Sequence, residues 1–266
     1  MKTDKIFADM LDTIMKLGDE INTRNSITKR YLHLSTRFDS TPLISVRKTA
    51  WKLALREFEW FLSGSNNIND LHPSVRHWWQ PWADSNGLIA NNYSVQFRDF
   101  VGHHGSVDQV KYLIDGIKHH PYSRRNIITT WNTSDMINQS TPITNCHGSL
   151  ISAFVQPDNS LHLSMVQRSS DMVLGMPHNW IQYWAFLMYL AKQSNKTVGS
   201  LIWTGEDCHI YQNHEDAANK IISSDLSEIK TPSLIYRPTS EDFKADDFLL
   251  DDQYKPLISE KLVMTV

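Results

Sequence analysis

Between Pro177 and Lys192 the chain runs PHNWIQYWAFLMYLAK, which is apolar on nearly every side of a helix. A surface helix needs one apolar stripe, whereas a helix that is apolar all round is stable only when other elements surround it. Proline at its first turn marks the start, because the ring presets φ and the missing N–H is not needed there. A second run, KTAWKLALREFEWFL from Lys48 to Leu62, has no Gly or Pro and is also apolar on more than one face. Glu57 lies inside it, a charge in an expected interior that needs an explanation. With 266 residues and 41% apolar content, the chain can enclose both helices in one large domain over residues 1–266.

Other elements follow from periodicity and breakers. Ile6, Phe7, Met10, Leu11, Ile14 and Met15 recur at helical spacing until Gly18. The stretch from Arg24 to Phe38 alternates apolar residues with Ser and Thr, as a strand or hairpin does. A helix is expected from Val107 to His119 and a strand from Asn126 to Trp131. The β-rich runs Gly148–Val155 and Leu161–Val166 flank the turn QPDN and read as a hairpin. Short strands and acidic loops follow Ser233, and the chain finishes on the apolar LVMTV. Strands and helices mixed without regular βαβ alternation predict an α+β fold, a mixed β-sheet covered by long helices.

The near-balanced net charge of −3 leaves no broad basic surface for a polynucleotide, so no nucleic-acid partner is expected. No window approaches the roughly 20 apolar residues of a membrane span. Two cysteines, Cys146 and Cys208, and an acidic N-terminal stretch predict a soluble protein of the reducing cytoplasm.

Cys146 stands between Asn145 and His147, and a thiol beside basic or hydrogen-bonding groups can be a nucleophile with a lowered pKa. Its company is distributed along the chain: Ser123-Arg124-Arg125, then QRSSDMVLGMPHNW from Gln167 to Trp180, then GEDCHIYQNH from Gly205 to His214. Arginines with a serine suit a dianionic phosphate, because guanidinium forks match its oxygens. Asp171 and Asn179 offer the acceptors and amide that read a nucleobase edge. His209 and Tyr211, two apart on a strand, point the same way and can hold a sugar hydroxyl. His209 and His214 do not share a helical face and have no second ligand pair, so no metal is expected.

These pieces, in this order, resemble the thymidylate synthase family from about Arg24 to His214. EFEWFLSG (Glu57 to Gly64) and HWWQPWAD look like further family elements. The resemblance implies a folate-dependent transferase of one-carbon groups in which Cys146 adds to C6 of a uridylate and C5 attacks 5,10-methylenetetrahydrofolate. It implies that Glu57 and Tyr93 organise water and protons at the ring and that Asp171 touches folate and nucleotide. By the same resemblance Arg24, Gln167, Arg168, Ser169 and Ser170 belong to the nucleotide site. Arg124 and Arg125 would reach across a homodimer interface into the other subunit's site. Trp79 and Trp82 would offer the flat pterin their faces, and Thr265 would close with the tail over the folate.

Asn179 falls where family members acting on uracil carry Asn and relatives acting on cytosine carry Asp, which makes dUMP the expected substrate. The fate of the covalent adduct divides the family: synthases reduce the exocyclic methylene, hydroxymethylases add water to it. Here Asn145 replaces the usual proline, His178 the usual aromatic, Val166 the usual tyrosine, and Asn91-Asn92 precedes Tyr93. Polar groups can hold an ordered water. The expectation is therefore a deoxyuridylate 5-hydroxymethylase of the kind phages use to modify DNA, acting in the host cytoplasm, with Asn145, His147 and His178 as water-activating candidates. A thymidylate synthase is the alternative, kept alive by the apolar tail from Leu262 to Val266. A catalytically silent nucleotide binder is the rival of another class, and the joint presence of Cys146, Glu57, Tyr93, Asp171 and Asn179 argues against it. Ala50 and Ile151 stand where synthases often place a folate-contacting His and a Gln.

Overall fold

The computed structural model describes residues 3–24, 26–136 and 145–264. Its helices are α1 (Thr3–Leu17), α2 (Trp51–Phe61), α3 (Pro73–Trp79), α4 (Tyr93–Arg98), α5 (Gln109–His119), α6 (Met176–Gln193) and α7 (Glu215–Ile222). Its strands are β1 (Asp19–Asn22), β2 (Ile27–Phe38), β3 (Phe100–Gly102), β4 (Gly105–Val107), β5 (Ile127–Ile128), β6 (Leu150–Val155), β7 (Ser160–Asp171), β8 (Thr197–Tyr211), β9 (Leu234–Tyr236) and β10 (Phe248–Leu250). Among the described residues the main sheet has the order β1-β2-β8-β7-β6-β5, with β3-β4 and β9-β10 as separate pairs. Within it only β7 and β8 run parallel. A parallel pair needs a crossover, and α6 supplies it. This is the expected α+β architecture.

The apolar character of α6 follows from that position, since it packs on β7, β8 and α2. Trp180, with no exposed surface, meets Phe7, Phe38 and Trp203 edge-on at 4.6–6.2 Å. From α2, Phe58 meets Phe61, Phe97, Tyr183, Phe186 and Phe243 at 5.4–6.0 Å. Each such burial contributes about 2–3 kcal/mol from apolar area. Asp4 in α1 is buried and accepts the Ser45 and Val46 N–H groups at 2.6 Å, fastening the helix to the loop before α2.

Local departures from expectation have identifiable causes. α2 starts at Trp51 rather than Lys48, because Lys48 N–H donates to the Ile258 carbonyl and Thr49 N–H to the Tyr254 hydroxyl. The strand expected over 126–131 shortens to Ile127–Ile128: Thr129 N–H goes to Gln109 and Thr130 N–H to the Gly148 carbonyl. The hairpin forms, but β7 runs on to Asp171 because β8 continues beside it. That extension carries the QRSSD segment. No helix among the described residues is long and apolar enough to cross a membrane.

Candidate active site

Cys146 lies in the stretch that leads into β6, held alongside β7 by the Ser169 N–H bond to its carbonyl. The Tyr93 hydroxyl, from the first turn of α4, accepts the Cys146 and His147 N–H groups at 2.7 and 3.2 Å and stands 3.3 Å from Cys146 Sγ. His147 stacks on Tyr93 with centroids 4.2 Å apart, and its Nδ1 bonds the Tyr183 hydroxyl at 2.9 Å. Gly148 has φ +65°, and a Cβ there would come within 2.2 Å of the Tyr183 hydroxyl, so the chain turns there only as glycine. Burial pushes the Cys146 thiol above its usual value, while the Tyr93 bond and the Arg168 charge act the other way. The lowered thiol pKa expected from the neighbours is thus outweighed by desolvation in the free chain. Tyr93 also stays protonated, raised chiefly by burial, and His147 stays neutral with its pKa lowered to about 3.

Glu57 sits on the α2 face turned to α6. Its Oε1 accepts from the Trp79 indole at 2.6 Å and its Oε2 from Gln182 Nε2 at 2.8 Å. Burial raises its pKa to about 7 against these two bonds. Gln182 Oε1 accepts from Asn179 Nδ2 at 3.1 Å, Asn179 Oδ1 from Gln167 Nε2 at 2.9 Å, and Gln167 Oε1 from the Trp203 indole at 3.0 Å. Gln182 has no exposed surface and no place in the expected site. Its signal was an uncharged polar residue one helical turn after Asn179 in an otherwise apolar helix.

Asp171 pairs in register with His209 and turns its Oδ1 to the Val173 and Leu174 N–H groups. His209 Nδ1 bonds Asp207 at 2.9 Å, and its ring meets Tyr211 edge-on at 5.1 Å. Arg24 bears electrostatically on Tyr211. Arg168 reaches the Asn145 carbonyl at 3.4 Å and lies over the Trp131 ring. Ser170 is fully buried opposite Cys208, on the other side of β7 from Ser169 and Asp171. Trp79 is buried against Trp60, Phe61 and Tyr93, and Trp82 is partly exposed. Arg124 and Arg125 stand exposed in the turn before β5. Thr265 lies outside the described residues.

The polar replacements near the site are partly engaged. Asn92 Oδ1 caps α4 by accepting the Val95 N–H, while its buried Nδ2 has no partner. His178 Nδ1 donates to the Leu174 carbonyl at 2.9 Å, and Nε2 accepts the Ala50 N–H at 3.2 Å, closing the start of α2. Burial lowers its pKa to about 4. Asn145 Nδ2 donates to the Thr130 carbonyl, but its buried Oδ1 has no partner.

A family model described as thymidylate synthase matches residues 5–266. The chain belongs to the thymidylate synthase family. It is 34% identical to a thymidylate synthase of Corynebacterium aurimucosum over 211 residues, 79% of this chain and 77% of that one. It is 31% identical to one of Francisella philomiragia, over 94% and 95% of the two chains. The solved thermostable thymidylate synthase A of Bacillus subtilis superposes with a TM-score of 0.86 at 29% identity, covering 100% of this chain and 99% of that one. Membership makes the chain an enzyme of one-carbon transfer to pyrimidine C5, in a family that uses deoxyuridylate and methylenetetrahydrofolate as its two substrates.

Proposed function

We propose that this enzyme converts dUMP to thymidylate, with methylenetetrahydrofolate as donor of both the carbon and the hydride. Cys146 Sγ adds to C6 of the ring, and C5, made nucleophilic, takes the methylene carbon. C5 loses its proton as the bond from the methylene carbon to the folate nitrogen breaks, hydride from the tetrahydrofolate so released converts the exocyclic methylene to methyl, and Sγ leaves C6 as dihydrofolate departs. Tyr93, 3.3 Å from Sγ, supports the developing thiolate, and the charge of Arg168 adds to that support. Glu57, poised near neutrality, moves protons at the ring. Asn179 reads the uracil edge. Arg24, Arg168 and Ser169 hold the phosphate, His209 and Tyr211 the sugar hydroxyl. Asp171, Trp79 and Trp82 line the folate side.

The observation that carries reduction over hydration is the engagement of both ring nitrogens of His178 by backbone groups. That ring is not free to hold an attacking water, and a synthase must keep water from the methylene. The tail is anchored at one point, where His214 Nε2 bonds the Val263 carbonyl at 2.9 Å. Hydroxymethylation, the outcome expected from sequence, remains the second reading because the unpartnered Oδ1 of Asn145, next to the nucleophile, is a place for one water. Incubation with dUMP and methylenetetrahydrofolate is expected to form dihydrofolate, followed by absorbance, mole for mole with thymidylate, identified by mass. A product heavier by one oxygen, with no dihydrofolate, would replace the first reading by the second.

We further propose a cytoplasmic homodimer. The sheet face away from α6 exposes Ile127, Leu150 and Phe154, apolar residues that a second copy would cover. Arg124 and Arg125 precede Ile127 at that face and would complete the partner's phosphate site. Mixing Cys146→Ala chains with Arg125→Ala chains is expected to restore about a quarter of wild-type activity if subunits exchange at random. Mixed dimers shown by mass that stay inactive would refute the shared site.

A further inference from the structure

The hydrogen bonds Trp203–Gln167–Asn179–Gln182–Glu57 all run in one direction. The indole N–H of Trp203 donates to Gln167, each amide N–H₂ donates to the next amide oxygen, and Gln182 donates to Glu57. Both ends fix this polarity. An indole nitrogen can only donate, and an ionised carboxylate can only accept. Asn179 is left with one N–H and one oxygen lone pair. These complement O4 and N3–H of uracil. For cytosine, with an amino group at C4 and a bare N3, the Asn179 amide would have to turn over. Turning it would set oxygen against oxygen at Gln182 and N–H against N–H at Gln167, unless both glutamines turned as well. They would then meet the Glu57 carboxylate and the Trp203 indole with the wrong group.

We propose that Gln182 is a specificity-determining positioning residue: it couples Asn179 to Glu57 so that the base-reading amide is held in the orientation that accepts uracil and rejects cytosine. The proposal rests on dUMP being the substrate and adds what enforces the choice. The relay lies inside the core, where Gln182 is fully buried and Gln167 and Asn179 nearly so, and the low local dielectric strengthens each of its bonds. Gln182 also donates to the Ala54 carbonyl at 3.0 Å, which leaves its amide little freedom to rotate. The same bond to Glu57 ties base recognition to proton transfer. As the carboxyl takes up a proton near neutrality, the acceptor that anchors the relay weakens.

Two variants separate the two links. Gln182→Met keeps the volume but removes all three amide hydrogen bonds. The preference for dUMP over dCMP, measured as the ratio of dissociation constants by calorimetry, is expected to fall by roughly 10-fold or more. Gln182→Glu keeps an acceptor for Asn179 and sets a second carboxyl beside Glu57. It is expected to hold the ratio near the wild-type value and to move the acidic limb of tritium release from [5-³H]dUMP to higher pH by about one unit. A purely structural role would lower melting temperatures and move neither readout. If Gln182→Met does not fold, Trp203→Phe removes the donor at the far end and carries the same expectation for the ratio. A folded Gln182→Met or Trp203→Phe chain with an unchanged ratio overturns the proposal. A wild type that binds dUMP selectively but turns nothing over overturns the function proposed above and leaves the relay standing, whereas one that binds neither nucleotide overturns both.

Discussion

Replacing Cys146 with alanine is expected to abolish tritium release from [5-³H]dUMP, to below about 10⁻⁴ of the wild-type rate, while leaving dUMP binding within a few fold. The expectation is severe because the site holds one thiol beside Tyr93, and the other, Cys208, is fully buried with its pKa pushed up to about 12. No neighbour can take over the addition to C6. The free thiol is itself raised by burial, so in the proposed mechanism the thiolate forms only as the reaction proceeds, with Tyr93 and Arg168 acting against the burial effect. Activity of the folded alanine variant above about one per cent would remove Cys146 from the mechanism.

Glu57→Gln is expected to lower turnover by about 10² to 10⁴, with a smaller effect on dUMP affinity. It should also change stability in a direction that can be derived. The carboxyl is raised from 4.5 to about 7 in the folded chain, chiefly by burial. Between those values the folded state holds a proton that the unfolded state has released, so stability falls as pH rises from about 4.5 to about 7. The loss is at most about 3 to 4 kcal/mol, from about 2.5 pKa units at 1.36 kcal/mol each. In Glu57→Gln that component of the slope disappears. Denaturant unfolding of both chains at pH 5 and pH 7.5 measures it, and parallel pH dependences would show that Glu57 is not raised.

The elements that were legible in the sequence owe their form to their own residues. α6 and α2 are apolar on most sides because other elements surround them, and the turn QPDN joins two runs that alternate regularly. What was not legible depends on partners distant in the chain. Nothing in NIITTW indicates that Gln109 takes the Thr129 N–H, and nothing before Trp51 indicates that residues 254–258 occupy the preceding backbone. The site divides in the same way. Cys146, Glu57 and Asn179 stand out through the family pattern. Gln182 was passed over because its value lies in three hydrogen bonds, two of them to residues 125 and 128 positions away. His178 looked like a group for water, yet its ring nitrogens serve the backbone of Leu174, just before its own helix, and of Ala50 at the start of α2. Residue type reports what a side chain can bond, and only the fold reports what it does bond.

The crossover that joins β7 to β8 through α6 has a mechanical consequence. Gln167 lies before the crossover, Asn179 at its first turn and Gln182 one turn on, all seated on the fully buried Trp180–Trp203 core. That half of the site cannot open without breaking the core, so it behaves as a rigid jaw with the full stability of the domain. Trp79 and Trp82 ride on a short helix and a single 3₁₀ turn, bounded by the loops around Gly64 and Gly87. Trp79 is itself packed on Trp60, Phe61 and Tyr93, so Trp82 is the residue of the two left partly exposed on this opposite wall. Nucleotide therefore meets a surface set in advance, and whatever motion a second substrate requires falls to the opposite wall.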